Sequence, residues 1–219
     1  MKTQIKKAII TLTCAAALFS VATVKASNFD FHVDINTASL TGAFYSPFFL
    51  DFQLNQGSGS FTTVANISNF SFADGSSTGS PSYFGLASGG LGSSVTLNCS
   101  KFSAFNEFYQ GFSVGTTDIQ FDVSLSQAAA GLTPTEFAVA ILDSESVVLP
   151  QISTTAPDRV SLLVLGVGDA NNLADIGTYT STSPEGVTVA ASAVPEPATG
   201  VIFSFGLVGM LASRRQRRE

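Results

Sequence analysis

Two eight-residue stretches alternate apolar and polar side chains without a slip, and that pattern decides the class of fold. From Asn28 to Ile35, Phe29, Phe31, Val33 and Ile35 fall on one side and Asn28, Asp30, His32 and Asp34 on the other. From Asp118 to Leu125, Ile119, Phe121, Val123 and Leu125 oppose Asp118, Gln120, Asp122 and Ser124. A period of two belongs to a strand with one face in a core and one in water, and antiparallel sheets are the setting that leaves a face wet. Further apolar runs at 48–54, 61–72, 94–97, 108–114, 136–142, 160–167 and 186–190 bring the expectation to about nine strands. Gly-, Ser- and Asn-rich stretches at 56–59, 74–81, 88–92 and 168–172 read as the turns between them. No long stretch has a helical period and no short repeat recurs, which disfavours propellers and solenoids. The expected fold is all-β: an antiparallel β-sandwich, jelly-roll-like, with a core built largely from Phe. All nineteen phenylalanines but Phe19, Phe203 and Phe205 lie in this central region.

Only 12% of the residues are charged, and the charges are segregated. Lys2, Lys6, Lys7 and Lys25 crowd one end and Arg214, Arg215, Arg217 and Arg218 the other. Between Ser27 and Val194 only Lys101 and Arg159 stand against all the acidic residues except Glu196 and Glu219. Such a segment cannot neutralise a phosphate backbone, so no nucleic acid is expected as a partner. Of the two cysteines, Cys14 lies in the leading apolar run and Cys99 in the centre. A lone Cys99 excludes a disulfide framework; it reads as a buried small thiol, with an intermolecular bridge as the alternative.

Residues 1–26 read as a secretory signal peptide: a basic start, a charge-free apolar run over 8–24, and a cut expected between Ala26 and Ser27. Export through the Sec translocon follows, a retained N-terminal anchor being the alternative. At the other end Val194, Pro195, Glu196 and Pro197 precede fifteen residues without a charge, 198–212, and then the four arginines. As a helix, fifteen residues span ~22 Å against a hydrocarbon core of ~30 Å. Crossing therefore needs a locally thinned bilayer or flanking side chains that reach the interface. Pro197 suits a first helical turn, Glu196 suits the positive end of the helix dipole, and the arginines hold the tail in the cytoplasm. The expected organisation is a signal peptide (1–26, a signal helix), an ectodomain (27–188), a short linker (189–194) and a tail. The tail comprises the motif 195–197, a transmembrane helix over 198–212 and a basic stop over 213–219.

The tripeptide Pro195-Glu196-Pro197, the short apolar span and the arginine cluster together resemble the PEP-CTERM sorting signal of exported bacterial proteins. The resemblance covers about residues 194 to 219. It implies an exosortase, a membrane-embedded cysteine protease-transpeptidase, as the partner that recognises and removes the tail. It also implies a transient inner-membrane anchor with a periplasmic ectodomain, then a place at the cell surface or in the extracellular matrix of bacteria that make exopolysaccharide and biofilm. A tail anchor that is never cut is the alternative. The stretches 40–42, 50–54 and 69–72 are also similar to a recurring ectodomain type among such proteins, to which no activity is attached.

Candidate chemistry in the centre is thin. Gly75, Ser77 and Gly79 have the spacing of a serine-hydrolase elbow, but a Ser/Gly-rich loop generates that spacing cheaply, no helix follows, and the sole histidine, His32, lies upstream. The run 160–168 resembles the strand that opens a dinucleotide fingerprint, yet Asn171 stands where a third glycine is needed. Asp30, His32 and Asp34 share a strand face and could converge on a metal, although a solvated polar face is the simpler account. Asp169, Asn171 and Asp175 form the better Ca²⁺ candidate, against the plainer account of a solvated acidic loop. No other cofactor is expected. Tyr45, Tyr83, Tyr109 and Tyr179 would have to supply any sugar-stacking platform, there being no Trp. The function expected is that of a non-catalytic exported surface or matrix protein. The alternatives are a carbohydrate- or Ca²⁺-dependent binding module and an extracellular glycan-processing enzyme with a carboxylate pair.

Overall fold

The computed structural model describes residues 28–43, 46–58, 63–126, 133–143, 152–167, 175–182 and 186–194. They form twelve strands: β1 (Phe29–Asn36), β2 (Phe48–Asn55), β3 (Val64–Ala73), β4 (Ser77–Phe84), β5 (Ala87–Gly89), β6 (Val95–Asn98), β7 (Phe105–Phe112), β8 (Asp118–Leu125), β9 (Thr135–Leu142), β10 (Leu163–Val167), β11 (Asp175–Thr178) and β12 (Thr188–Ala193). The only helical element among the described residues is a single 3-10 turn, Ala38–Leu40. The expected signal helix (1–26) and transmembrane helix (198–212) lie outside the described residues. No helix among the described residues is long and apolar enough to cross a membrane.

Two six-stranded sheets pack face to face, in the orders β12-β1-β8-β3-β6-β5 and β11-β10-β9-β2-β7-β4. All strand pairs are antiparallel. Strands β1 to β4 fall alternately in the first and the second sheet, so the all-β, antiparallel two-sheet arrangement expected from the sequence is present.

The two perfectly alternating stretches are neighbours in the centre of the first sheet, β1 against β8, with His32 opposite Asp122 and Val33 opposite Phe121. Their apolar halves are buried and their polar halves face out. The core between the sheets is organised around Phe52 of β2. Its ring meets Phe108 and Phe137 in stacked geometry at 5.9 Å each and crosses the gap to Phe121 edge-on at 5.3 Å. Phe70 closes the group at 6.0 Å. Edge-on and offset rings are the arrangements that the aromatic quadrupole favours.

Three strands depart from the sequence expectation. β4 occupies most of the stretch that reads as a turn, because it is an edge strand paired only with β7 through a register shift between Thr78 and Ser82. An edge position with a bulge is where a strand can carry Pro81 and several small residues. β5, in the Ser88–Gly92 turn region, is likewise an edge, paired only with β6. β11 pairs only with β10. The stretch 189–194, expected as a linker, is instead mostly β12, in register with β1 from Phe31↔Ala193 to Asn36↔Thr188.

One end of the sandwich concerns function. There β1 begins, while β2, β4, β6, β8 and β12 end and β7 begins. The chain leaves β12 at this end, where the Val194 amide donates to the Asp30 carbonyl at 2.8 Å. This is the exit end; the end carrying Ala38–Leu40 is the far end.

Candidate functional site

Three sites merit description: the polar face of the first sheet, a buried carboxylate network on the second, and the junction at which β12 meets the tail.

On the first sheet, β1 and β8 project Asp30, His32, Asp34, Asp118, Gln120 and Asp122 away from the core. His32 Nδ1 lies 2.7 Å from Asp122 Oδ1, and Asn69 Nδ2 donates to Asp122 Oδ2 at 2.7 Å. These donors, Asn69 first and His32 second, hold the Asp122 carboxyl below its ordinary range. Gln120 donates to Asp34 at 3.2 Å. Asp118 is pushed up by partial burial and by the neighbouring Asp34 carboxylate. Asp30, His32 and Asp34 do not converge on one point. His32 pairs across the strands to Asp122 instead, and no group of three metal-ligating side chains exists among the described residues. Asp175 sits exposed on β11, while Asp169 and Asn171 lie outside the described residues.

Asn69 belongs to this face although sequence reasoning misses it. It adopts φ 57°, in the left-handed region, at a bulge that shifts the β3–β8 register between Ser68 and Ser71. The signal is present in the sequence: the apolar positions of β3 run Ala65, Ile67, then Phe70 and Phe72, a spacing of three where two is the rule. Asn tolerates the left-handed conformation better than most residues other than Gly.

On the outer face of the second sheet, Gln53 Nε2 donates to Asp51 Oδ2 at 2.7 Å and to Glu107 Oε1 at 3.3 Å. The two carboxylates are thus bridged by one amide, at a separation that a glycosidase pair could have. Asp51, however, is 0% exposed. A carboxylate that water does not reach is poorly placed to protonate a leaving group; Asp51 holds the Gln53 amide, and that amide ties β2 to β7 through Glu107. Burial pushes the Glu107 carboxyl up, and Gln53 draws it part of the way back.

The remaining sequence candidates disperse. Ser77 begins the edge strand β4 opposite Phe112, so the strand-to-helix elbow a nucleophilic serine needs is not formed. β10 lies antiparallel between β9 and β11, which excludes the parallel β-α-β unit of a dinucleotide fold. Tyr83 is opposite the core residue Phe108, Tyr109 stacks edge-on with Phe49 on the outer face, and Tyr179 follows β11 at the opposite edge. They build no shared platform, and Tyr45 lies outside the described residues. Cys99 is buried, accepts from Asn106 Nδ2 at 3.7 Å, and is pushed up to about 11 by burial. A thiol so protonated is a poor nucleophile.

Asn106, also missed in the sequence, organises the exit end. Its Oδ1 accepts from the Leu86 amide at 2.6 Å and from the Ser103 hydroxyl at 2.9 Å. It thereby fastens the β4–β5 turn to the turn carrying Lys101 and Phe102. Gly85, at φ 69°, completes the former, and a Cβ there would collide with Asn106.

At the junction, the last strand and the motif are almost contiguous. β12 ends at Ala193, Val194 makes one more backbone hydrogen bond to β1, and Pro195 follows. Pro195, Glu196, Pro197 and the arginines lie outside the described residues.

Comparison with known proteins gives one informative result. No curated protein matches the chain. Among solved structures, the crystal structure of the group B streptococcus pilus 2b backbone protein matches at 11% identity over 75% of this chain and 68% of that one. Its TM-score of 0.13 supports no likeness of fold. Residues 193–218 match the family described as the PEP-CTERM protein-sorting motif. A β-rich domain thus runs directly into a PEP-CTERM protein-sorting motif at residues 193–218, which implies exosortase-dependent sorting of an exported protein.

Proposed function

We propose that the protein is a non-catalytic cell-surface or extracellular-matrix component, linked to exopolysaccharide and biofilm. Its tail serves as a temporary inner-membrane tether that the exosortase cuts away. The observation that carries this reading is the sorting-motif match at 193–218, beginning where the last strand ends. The domain supports it: its polar side chains are tied into cross-strand networks, and of its close carboxylate pairs Asp51–Glu107 includes the fully buried Asp51, while Asp34–Asp118 lies on the flat outer face of β1 and β8. The test is a tag placed after Glu219 in a host that encodes an exosortase. The tag should be lost from the mature protein and retained in Pro195→Ala and Glu196→Ala variants. A tag kept on all mature wild-type protein refutes processing.

A second reading has its own observation. The outer face of β1, β8 and β3 presents carboxylate, amide and hydroxyl groups with no Lys or Arg among them. Such groups hydrogen-bond sugar hydroxyls or, deprotonated, take Ca²⁺. Calorimetry with the host's exopolysaccharide and with Ca²⁺ tests it. Heat of binding abolished by Asp122→Ala supports a binding module, and no heat and no melting shift with either removes it.

A further inference from the structure

The large exposed apolar side chains of the described residues are Tyr83, Phe84, Leu86, Phe102, Ile176 and Val194. They come from four separate places in the sequence, yet the strand registers put all of them in the half of the sandwich nearest the exit end. Tyr83 and Phe84 close β4, Leu86 is in the turn that follows, and Phe102 is in the turn after β6. Ile176 is the second residue of β11, and Val194 follows β12. Phe102 is 88% exposed and Phe84 60%. Lys101, one of only two basic residues between Ser27 and Val194, stands beside Phe102 with its ammonium 4.8 Å from the ring centre.

We propose that this end of the sandwich lies on the surface of the bilayer that holds the tail, with Phe102, Phe84 and Leu86 in the headgroup region and Lys101 at its rim. The inference rests on the sorting reading, in which residues 198–212 enter the membrane. Three arguments select lipid over other occupants.

The first is reach. Only Pro195, Glu196 and Pro197 separate Val194 from the charge-free stretch, and four extended residues cover at most ~14 Å. The exit end is therefore tethered within ~14 Å of the start of that stretch, whereas the far end is a full strand length away from Val194. The second is mismatch. A span of ~22 Å in a core of ~30 Å draws its flanks toward the interface. The third is chemistry. Aromatic side chains beside a lysine suit the boundary between headgroups and acyl chains. The carboxylates Asp30, Glu136 and Asp175 also lie toward this end, so contact is driven by apolar insertion, not by attraction to anionic lipid.

The chain has no Trp, so one introduced Trp is an unambiguous reporter. The full chain carrying Phe102→Trp, Leu86→Trp or, at the far end, Ser39→Trp is reconstituted into vesicles of phosphatidylethanolamine with a minority of phosphatidylglycerol and bromine-labelled acyl chains. All three sites are exposed, so folding is preserved, and flotation reads tail insertion separately. The expected result is blue-shifted emission at positions 102 and 86, quenched by the bromines several-fold more than at position 39. Flotation with equal quenching at both ends overturns the orientation and leaves the sorting reading standing. Blue-shifted but unquenched emission at 102 assigns the patch to a second copy or another protein and also overturns the proposal. A chain that fails to float overturns both.

Discussion

Replacing Phe52 with Ala probes the packing that holds the two sheets together. Phe52 is 0% exposed and its ring contacts Phe70, Phe108, Phe121 and Phe137 at centroid distances of 5.3–6.0 Å. Truncating a buried Phe costs about 3–5 kcal/mol, the cavity included. Four ring partners, each worth about 0.5–1.5 kcal/mol beyond area, place this site near the upper end, at about 4–5 kcal/mol. Phe52→Leu retains most of the volume and should cost under about 2 kcal/mol. Phe102→Ala, at an 88% exposed position, should stay within about 0.5 kcal/mol. Urea unfolding of the full chain in mild detergent, followed by circular dichroism, reads all three. With a slope of about 2 kcal/mol/M, the Phe52→Ala midpoint should fall by about 2 M at unchanged slope. A midpoint no lower than that of Phe102→Ala would refute the assignment of Phe52 as the centre of the core.

Glu107→Gln should stabilise the protein at neutral pH but hardly at acid pH. Because burial raises its carboxyl, the folded state holds that proton more tightly, and its contribution to stability falls as pH rises through the folded value. Urea midpoints of both proteins at about pH 4 and about pH 7 check this, and a gain that is the same at both removes the argument. Asp122 has the opposite sign: its lowered carboxyl stabilises above the unfolded value, and that stability is lost as pH falls through the folded one. Asn69→Ala, which removes the main donor to Asp122 and leaves a Cβ at φ 57°, should cost about 1–3 kcal/mol. Asn69→Gly should recover the backbone part, and equal losses in the two variants would contradict the strained-bulge account. Cys99 should resist a maleimide in the native protein and react after unfolding, because it is buried and burial pushes its thiol up to about 11. Rapid native labelling, or a disulfide-linked dimer on a non-reducing gel, would show it accessible.

Where a strand has a partner on both sides, its register is largely legible in the sequence. β1 and β8 follow their alternation residue by residue, because a slip of one would turn four apolar side chains to water. Edge strands are not legible. β4 and β5 are built largely from small and polar residues, and what makes them strands is the neighbour that pairs with them, β7 or β6, which local sequence does not encode. β12 is only half legible for a related reason: the run 186–190 marks its start, but Ala and Ser alternate weakly beyond it, and pairing with β1 carries the strand on to Ala193. The polar face is half legible. His32 and Asp34 can be assigned to one side of β1, but that His32 takes Asp122 depends on cross-strand register. The sorting junction is legible because its signal is local: a tripeptide, a charge-free run and arginines in fixed order.

The mass of the intact mature protein, isolated from a host that exports it and encodes an exosortase, tests the central claim most directly. A chain that begins at Ser27 and lacks 198–212 and the arginines beyond it is the predicted result. A chain that still carries the apolar stretch through Arg218 in its mature form would contradict it.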